Sequence, residues 1–181
     1  RWYYFKPKKS KIFKGALPME KYSVKEITKT AAMAAIVFIL TYTFKIPFPN
    51  GYTHLGDCAI LIGVIVLGRK KGAWAGGIGA AMADLISGYA QWIIPTLIIK
   101  FLMATVMGII MEKAMPESKI NFLIGAVVGG LVQIVGYTAV KIVYYGFAQA
   151  MVMTPGLLIQ TAVGIVITLV FVSVLRASGI L

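Results

Sequence analysis

The chain has 181 residues, of which 59% are hydrophobic and 13% are charged, and its mean hydropathy is +0.85. A soluble domain carries about 25% charged residues, so this composition excludes an ordinary soluble protein and predicts a single membrane domain. The net charge of +12 does not indicate nucleic-acid binding, because nine of the eighteen basic residues precede residue 30 and most others separate apolar segments. That distribution is typical of charges that set membrane topology.

Metal and redox chemistry are not expected from this composition. Cys58 is the single cysteine, so the chain forms no internal disulfide and no cysteine-based metal cluster. His54 is the single histidine and has no closely spaced pair of carboxylates beside it, which argues against a catalytic zinc site. We therefore expect neither a metal nor another cofactor.

Residues 1–19 form a basic and aromatic N-terminal arm. The arm lacks an apolar core followed by a small-residue cleavage site, so it does not resemble a secretory signal. Two interpretations stay open: residues 1–18 are a non-native remnant ahead of a natural start at Met19, or the arm lies at the membrane interface with Trp2–Phe5 at headgroup level. The membrane domain is assigned to residues 20–181.

Six apolar segments follow, and together they predict an all-α integral membrane protein with six transmembrane helices. The loop "KIPFPNGYT" after the first segment contains two prolines and Asn-Gly, which do not continue a helix. Pro155 suits the first turn of the sixth helix. Because none of the first four segments has 18 consecutive uncharged residues, a five-helix arrangement with a re-entrant third segment is the alternative. In chain order, the segments are 30–44, 58–68, 73–88, 93–111, 120–140 and 154–176.

The basic residues orient the predicted bundle. Basic side chains cluster in the N-terminal arm, in "RKK" at 69–71, at Lys113 and Lys119, and at Arg176, all at the same side of a six-helix arrangement. Cytoplasmic loops are enriched in lysine and arginine, so both termini are placed in the cytoplasm. Three lysines, at positions 45, 100 and 141, fall in the outer half.

Polar side chains from five helices converge on the outer half of this arrangement. Gln133, Tyr137 and Lys141 are spaced to share one helix face, and Tyr89 and Trp92 in the turn after the third segment, with Tyr52 in the first loop, are candidate lids. Charged groups at such depth normally face the bundle interior and pair. Convergence of this kind predicts a pocket for a small, ring-shaped, polar metabolite. The substrate-binding candidates are His54, Asp57, Asp84, Tyr89, Trp92, Lys100, Gln133, Tyr137, Lys141 and Gln160.

Two ion-pair arrangements are expected first: Asp84 with Lys100, and Asp57 with His54 or Lys141. Each group also has a structural interpretation. Asp57 suits an N-terminal helix cap, Lys100 and Lys141 are long enough to snorkel to the interface, and the tyrosines suit an aromatic belt. No nucleophile with an activating base is visible, so the pattern favours binding over catalysis.

A second pattern lies at the inner side, where small residues recur at helical spacing. In "TKTAAMAA" the positions Ala31 and Ala35 lie one turn apart, with Ala32 and Thr28 beside them. Small residues at four-residue spacing let transmembrane helices approach closely. We expect this face of the first helix to contact a partner. The glycines and alanines of the third segment are expected to serve packing inside the bundle.

The motifs "AAMAA", "HLGD" and "GRKKGAWAGGIGAAMADLISGY" resemble the substrate-binding S component of an energy-coupling factor (ECF) transporter, over about residues 20–176. The "HLGD" and "GGIGAAMAD" stretches are similar to the branch for hydroxymethylpyrimidine and pyridoxine. The resemblance implies a prokaryotic plasma-membrane receptor for a water-soluble vitamin. In this family, the first-helix alanine motif, matched here by Ala31 and Ala35, contacts a transmembrane scaffold subunit (EcfT-type). Two cytoplasmic ATPases (EcfA-type) supply energy, and the S component is thought to topple in the membrane.

Pyridoxine or hydroxymethylpyrimidine is the expected substrate, and riboflavin, pantothenate or another vitamin is the lower-ranked alternative. A stand-alone proton-coupled carrier that uses an Asp84–Lys100 relay is the alternative function. Such carriers often show internal repeats, and the two halves of this chain do not match obviously. A membrane enzyme is a third and weaker hypothesis, and no nucleic-acid partner is expected.

Overall fold

The computed structural model describes residues 23–48 and 51–179. The N-terminal arm and the expected start at Met19 lie outside the described residues. Within them the chain forms six helices and a two-stranded hairpin, so the predicted helical bundle is found with one addition. The elements are α1 (Val24–Thr43), β1 (Lys45–Phe48), β2 (Gly51–His54), α2 (Gly56–Leu67), α3 (Arg69–Ile86), α4 (Ile93–Ile109), α5 (Asn121–Tyr145) and α6 (Phe147–Ala177).

The segment expected to be an irregular loop is an antiparallel hairpin. Lys45 pairs with His54, and Ile46 pairs with Thr53. Proline is tolerated in this hairpin because both strands of a two-stranded sheet are edges. The Lys45 ammonium donates to the Ser87 hydroxyl at 2.8 Å, just beyond the end of α3. The hairpin is thereby tied to the helical bundle.

Helix α1 begins six residues before its apolar segment because a capping box starts it. The Glu26 amide donates to the Ser23 hydroxyl, and the Ser23 amide donates to the Glu26 carboxylate, each at 3.3 Å. This reciprocal pair satisfies two of the amides that a helix N-terminus leaves unpaired. Glu26 also forms a 2.6 Å ion pair with Lys71 of α3.

Helix α3 packs against α1, α2 and α4. A Cβ on Gly72 would lie 2.6 Å from the Val64 Cα, and one on Gly76 would lie 2.7 Å from the Ile60 side chain. Only glycine permits this approach, so the expected packing role of the small residues in α3 is confirmed. The helix is unbroken over 18 residues, about 27 Å at 1.5 Å per residue, which argues against a re-entrant third segment.

Among residues 23–48 and 51–179, three elements are long and apolar enough to cross a bilayer by length and composition: Ala90–Ala114, Asn121–Tyr145 and Phe147–Ala177. The first of them includes a short 3₁₀ turn before α4 and a π turn after it. By contrast, α2 has only 12 residues, about 18 Å, and reaches roughly half of a hydrocarbon core about 30 Å thick.

The expected start of the sixth helix was wrong. Helix α6 begins at Phe147, directly after Gly146, whose φ of 82° ends α5. Pro155 therefore lies inside the helix and not in its first turn. Apolar and small residues upstream of the proline continue the helix, and the Thr154 hydroxyl donates to the Ala150 carbonyl at 2.8 Å.

Contacts between the connecting segments define two ends of the bundle. The Tyr144 hydroxyl donates to the Gln91 carbonyl at 3.0 Å, which joins the α5–α6 and α3–α4 connections on the same side as the hairpin. We call this the hairpin end. At the opposite end Arg69 pairs with Glu112 at 3.0 Å. A buried apolar core that includes Val37, Ile60 and Met103 lies between the two ends.

Candidate functional site

A cavity of about 360 Å³ opens at the hairpin end. Its size lies within the range of small-molecule sites, about 300–1,000 Å³. The sequence predicted seven of the residues that line it: His54, Asp84, Tyr89, Trp92, Tyr137, Lys141 and Gln160. It missed Thr41, Gln91, Thr96 and Tyr145, together with an apolar wall from α6 that includes Met153, Pro155 and Leu157.

The other three predicted site residues lie beneath the cavity and not in its wall. Asp57, Lys100 and Gln133 are at most 2% exposed, and none of them lines the cavity. Lys100 comes from the middle of α4, which excludes the interpretation that it snorkels to the interface. These side chains form a buried polar layer between the cavity and the apolar core.

An ion pair between Lys100 and Asp57 is the centre of this layer. The Lys100 ammonium donates to Oδ1 of Asp57 and to Oε1 of Gln133. The expected pair of Asp84 with Lys100 was therefore wrong, and the lysine that pairs with Asp57 is Lys100 and not Lys141. Thr96, one turn nearer the hairpin end on α4, is the residue that faces Asp84, whereas Lys100 lies one turn deeper and reaches α2.

The interpretation of Asp57 as an N-terminal helix cap is wrong, because its side chain does not cap α2. Leu55 is the residue that precedes α2, and no side chain there caps the helix. The Asp57 carboxylate instead accepts hydrogen bonds from two carboxamides. Nε2 of Gln133 lies 2.7 Å from Oδ2, and Nε2 of Gln160 lies 3.0 Å from the same oxygen. Because a carboxylate only accepts, it fixes the orientation of both amides.

Gln160 belongs both to the buried layer and to the cavity wall. Its Nε2 donates to Asp57, and its Oε1 accepts from the Thr53 hydroxyl of β2 at 3.4 Å. Gln133 extends the layer to α6 through a 2.8 Å bond to the Thr161 hydroxyl. The hairpin and helices α2, α4, α5 and α6 thus share one hydrogen-bonded network under the cavity floor.

Aromatic rings form one wall of the cavity. The Trp92 ring lies 5.9 Å from Tyr137, 5.4 Å from Tyr144 and 6.3 Å from Tyr145, measured between centroids. The Lys100 ammonium lies 5.3 Å from the centre of the Tyr137 ring, below it. A flat ligand that enters the cavity meets Trp92, Tyr137 and Tyr145, which suits stacking.

His54 brings an uncharged imidazole to the cavity rim. Its Nδ1 accepts from the Gly56 amide at 3.2 Å, which places the ring proton on Nε2. Burial lowers the pKa of His54 to about 4, although the nearby Asp57 carboxylate acts in the opposite direction. The ring is therefore neutral at pH 7 and acts as a hydrogen-bonding group.

Lys141 and Asp84 carry the remaining charges of the cavity wall. The Lys141 ammonium lies 3.5 Å from the Met153 carbonyl, longer than an ordinary N–H···O bond. The Tyr137 hydroxyl donates to Thr96 at 3.0 Å, and the Thr96 side chain lies close to the Asp84 carboxylate. Oδ2 of Asp84 is buried and has no partner among the described residues.

The four residues expected to contact a partner are all exposed on α1: Thr28, Ala31, Ala32 and Ala35. They lie toward the end opposite the hairpin, away from the cavity. Their exposure is compatible with an interface, and the interface stays a prediction.

Six packed helices, long apolar segments and a ligand-sized cavity at one end define a multi-pass membrane protein. The family model of the ECF-type riboflavin transporter S component matches residues 21–177. The chain belongs to this family, so the resemblance seen in its motifs is confirmed. It is a transport protein of the S-component type, concerned with vitamin uptake.

Two relatives match most of the chain. A protein of Pyrococcus woesei, described as "Uncharacterized protein in gap 3'region", is 35% identical over 133 residues, 72% of this chain and 88% of the relative. The thiamine precursor transporter HmpT of Lactococcus lactis subsp. cremoris (strain MG1363) is 28% identical over 166 residues, 90% of this chain and 95% of the relative.

Proposed function

We propose that this chain is the substrate-binding subunit of an ECF-type importer and captures a small water-soluble vitamin or vitamin precursor in the cavity at its hairpin end. In this proposal six helices cross the prokaryotic plasma membrane, both termini are cytoplasmic and the hairpin end faces outward. The observation that carries it is the 360 Å³ cavity with polar, charged and aromatic walls in a chain of the S-component family.

The composition of the cavity favours a flat, polar heteroaromatic ligand. Trp92, Tyr137 and Tyr145 offer stacking faces, while Gln160, Asp84 and Lys141 offer hydrogen-bonding groups. Pyridoxine and hydroxymethylpyrimidine have this character, and the HmpT relative is named for a thiamine precursor. Riboflavin, which is in the name of the family model, ranks after them, because its tricyclic ring and ribityl chain need a larger volume than the smaller ligands do.

Energy and delivery require other subunits in this proposal. A transmembrane scaffold of the EcfT type would pack on the exposed small residues of α1, where Ala31 and Ala35 lie one turn apart. Two ATPases of the EcfA type would act on that scaffold. A stand-alone carrier is less well supported, because its relay was to be an Asp84–Lys100 pair and Lys100 pairs with Asp57 instead.

Native mass spectrometry combined with affinity purification tests the proposal. The tagged chain is purified in mild detergent from cells that express it with its scaffold and ATPases. We expect the three partner subunits to co-purify and a vitamin-sized molecule to remain bound. Uptake that follows the proton gradient, persists without ATP and needs no partner subunit would refute the assignment.

A further inference from the structure

The side chain of Asp84 is placed where it contributes little to the stability of the fold. It lies two residues before the end of α3 at Ile86, and a negative charge near the C-terminus of a helix opposes the helix dipole. No described ion pair involves it, although Asp57 of the same cavity region has one. A carboxylate in this position is better explained by a ligand than by packing.

One oxygen of the Asp84 carboxylate also lacks a hydrogen bond. The Thr96 side chain lies close to this group, and Oδ2 is buried without a partner among the described residues. An unsatisfied buried acceptor is costly and rare in native structures. Asp84 lines the cavity, and its two oxygens exchange positions when the carboxylate rotates. A ligand in the cavity can therefore donate a hydrogen bond to the unpaired oxygen.

Helix α5 brings a hydrogen-bond donor, the Lys141 ammonium, to the same cavity. Lys141 lines the same cavity, and its described hydrogen-bond contact is the long one to the Met153 carbonyl. Helix α4 packs against both α3 and α5, so the acceptor and the donor lie on separate walls. The aromatic wall of Trp92 and Tyr137 stands in the same cavity. A flat ring with an N–H donor on one edge and a lone-pair acceptor on another fits this arrangement.

We propose that Asp84 selects for ligands that donate an N–H hydrogen bond, an amino group on a heteroaromatic ring being the best fit, and that Lys141 holds an acceptor of the same ring. This inference rests on the proposed function and narrows its substrate class. Of the two first candidates, hydroxymethylpyrimidine carries such an amino group directly on its ring, whereas pyridoxine would have to donate from a hydroxyl group. Hydrogen bonds to charged groups are stronger than those between neutral groups, so the selection is expected to be large.

The experiment compares two probes that differ in one donor. The first is 4-amino-5-hydroxymethyl-2-methylpyrimidine, and the second is the same compound with hydrogen in place of the amino group. Binding to the purified full chain in detergent is measured by calorimetry. The variants are Asp84→Ala, Lys141→Met and, as a control that removes a carboxylate outside the cavity, Glu117→Ala, whose side chain is exposed.

We expect the wild-type protein and the Glu117→Ala control to bind the amino compound at least about tenfold more tightly than the deamino compound. In Asp84→Ala this ratio should fall to about twofold or less, because the deamino compound never used the carboxylate. Lys141→Met should weaken both probes by a similar factor and leave their ratio unchanged, since both carry the ring acceptor.

Three results would overturn the inference. Equal binding of both probes by the wild-type protein, or an unchanged affinity ratio between the probes in Asp84→Ala, would show that Asp84 does not recognise the amino group. Either result would leave the vitamin-receptor proposal intact. If neither probe binds the wild-type protein, this substrate class is wrong. A parallel thermal-stability screen with pyridoxine, riboflavin and pantothenate then decides whether the receptor proposal survives with another ligand.

Discussion

Removing one partner of the Lys100–Asp57 pair should be far more harmful than removing both charges. Lys100→Met keeps an apolar side chain of similar length in α4 but leaves the Asp57 carboxylate buried without its cation. Both groups are at most 2% exposed, so solvent does not screen the loss. Breaking a buried pair in this way costs about 3–5 kcal/mol.

The structure also predicts a partial rescue. In the double variant Asp57→Asn with Lys100→Met no charge is buried, and the Asn side-chain oxygen still accepts from one of the two carboxamides that contact Asp57, those of Gln133 and Gln160. We expect this variant to lose about 1–2 kcal/mol. The two single variants and the double variant form a cycle whose coupling free energy should be at least about 2 kcal/mol.

Reversible unfolding by SDS in mixed micelles, followed by far-ultraviolet circular dichroism, measures these free energies. Lys113→Met is the matched control, since Lys113 is an exposed lysine at the opposite end of the bundle, and it should change stability by less than about 0.5 kcal/mol. A Lys100→Met variant within about 1 kcal/mol of wild type, or a double variant that costs the sum of the singles, would refute the reasoning.

Three further predictions concern other parts of the molecule. Ala35→Leu should prevent co-purification with the scaffold and leave ligand affinity unchanged. The control Ala162→Leu, on the exposed face of α6, should change neither assembly nor affinity, and normal assembly of the first variant would contradict the interface. Gly72→Ala should destabilise the fold by about 1–3 kcal/mol in SDS unfolding, because the added Cβ would lie 2.6 Å from the Val64 Cα, and a stability equal to wild type would disprove this close approach. Because the folded pKa of His54 is depressed to about 4, its stabilising effect is complete above the unfolded value of about 6.5 and is lost as the pH falls from there toward 4. Acidification from pH 7 to 5 should therefore cost wild type about 1–2 kcal/mol more than His54→Gln, and identical pH profiles would exclude a depressed pKa.

The sequence predicted which end of the bundle holds most of the polar groups, because their depth follows from helix order and rise per residue. The depth of Asp84, Tyr137 and Gln160 was derived from their positions along three different helices, and all three line the cavity. Burying charge in an apolar bundle is costly, so such residues could be assigned inward without knowledge of the fold.

The partners of these groups could not be predicted in the same way. Whether Lys100 meets Asp84 or Asp57 depends on the rotation of α4 about its axis by a fraction of a turn, and packing against α2, α3 and α5 sets that rotation. Several ionic and amide groups lie at similar depth, so many different pairings between them are possible. The signal that was available is the absence of charge around Lys100 in α4, which indicated a fully buried ammonium and hence a close carboxylate.

Local signals explain the remaining differences. The hairpin was not predicted, because the two prolines and the Asn-Gly step of "KIPFPNGYT" indicated only a loop. Pro155 suggested a helix start, although the apolar residues before it extend α6 back to Phe147. Thr41 and Thr96 were missed as cavity residues because threonine is common in transmembrane helices and carries no pattern of its own.

The most direct test of a receptor role is calorimetry with a variant that fills the cavity. Gly156 of α6 lines the cavity wall, and Gly156→Trp places an indole where a ligand would lie. The account predicts that the wild-type chain binds one molecule of hydroxymethylpyrimidine or pyridoxine, and that the variant keeps its helical circular dichroism spectrum and its thermal midpoint but binds neither. Ligand binding with unchanged affinity in Gly156→Trp would contradict it.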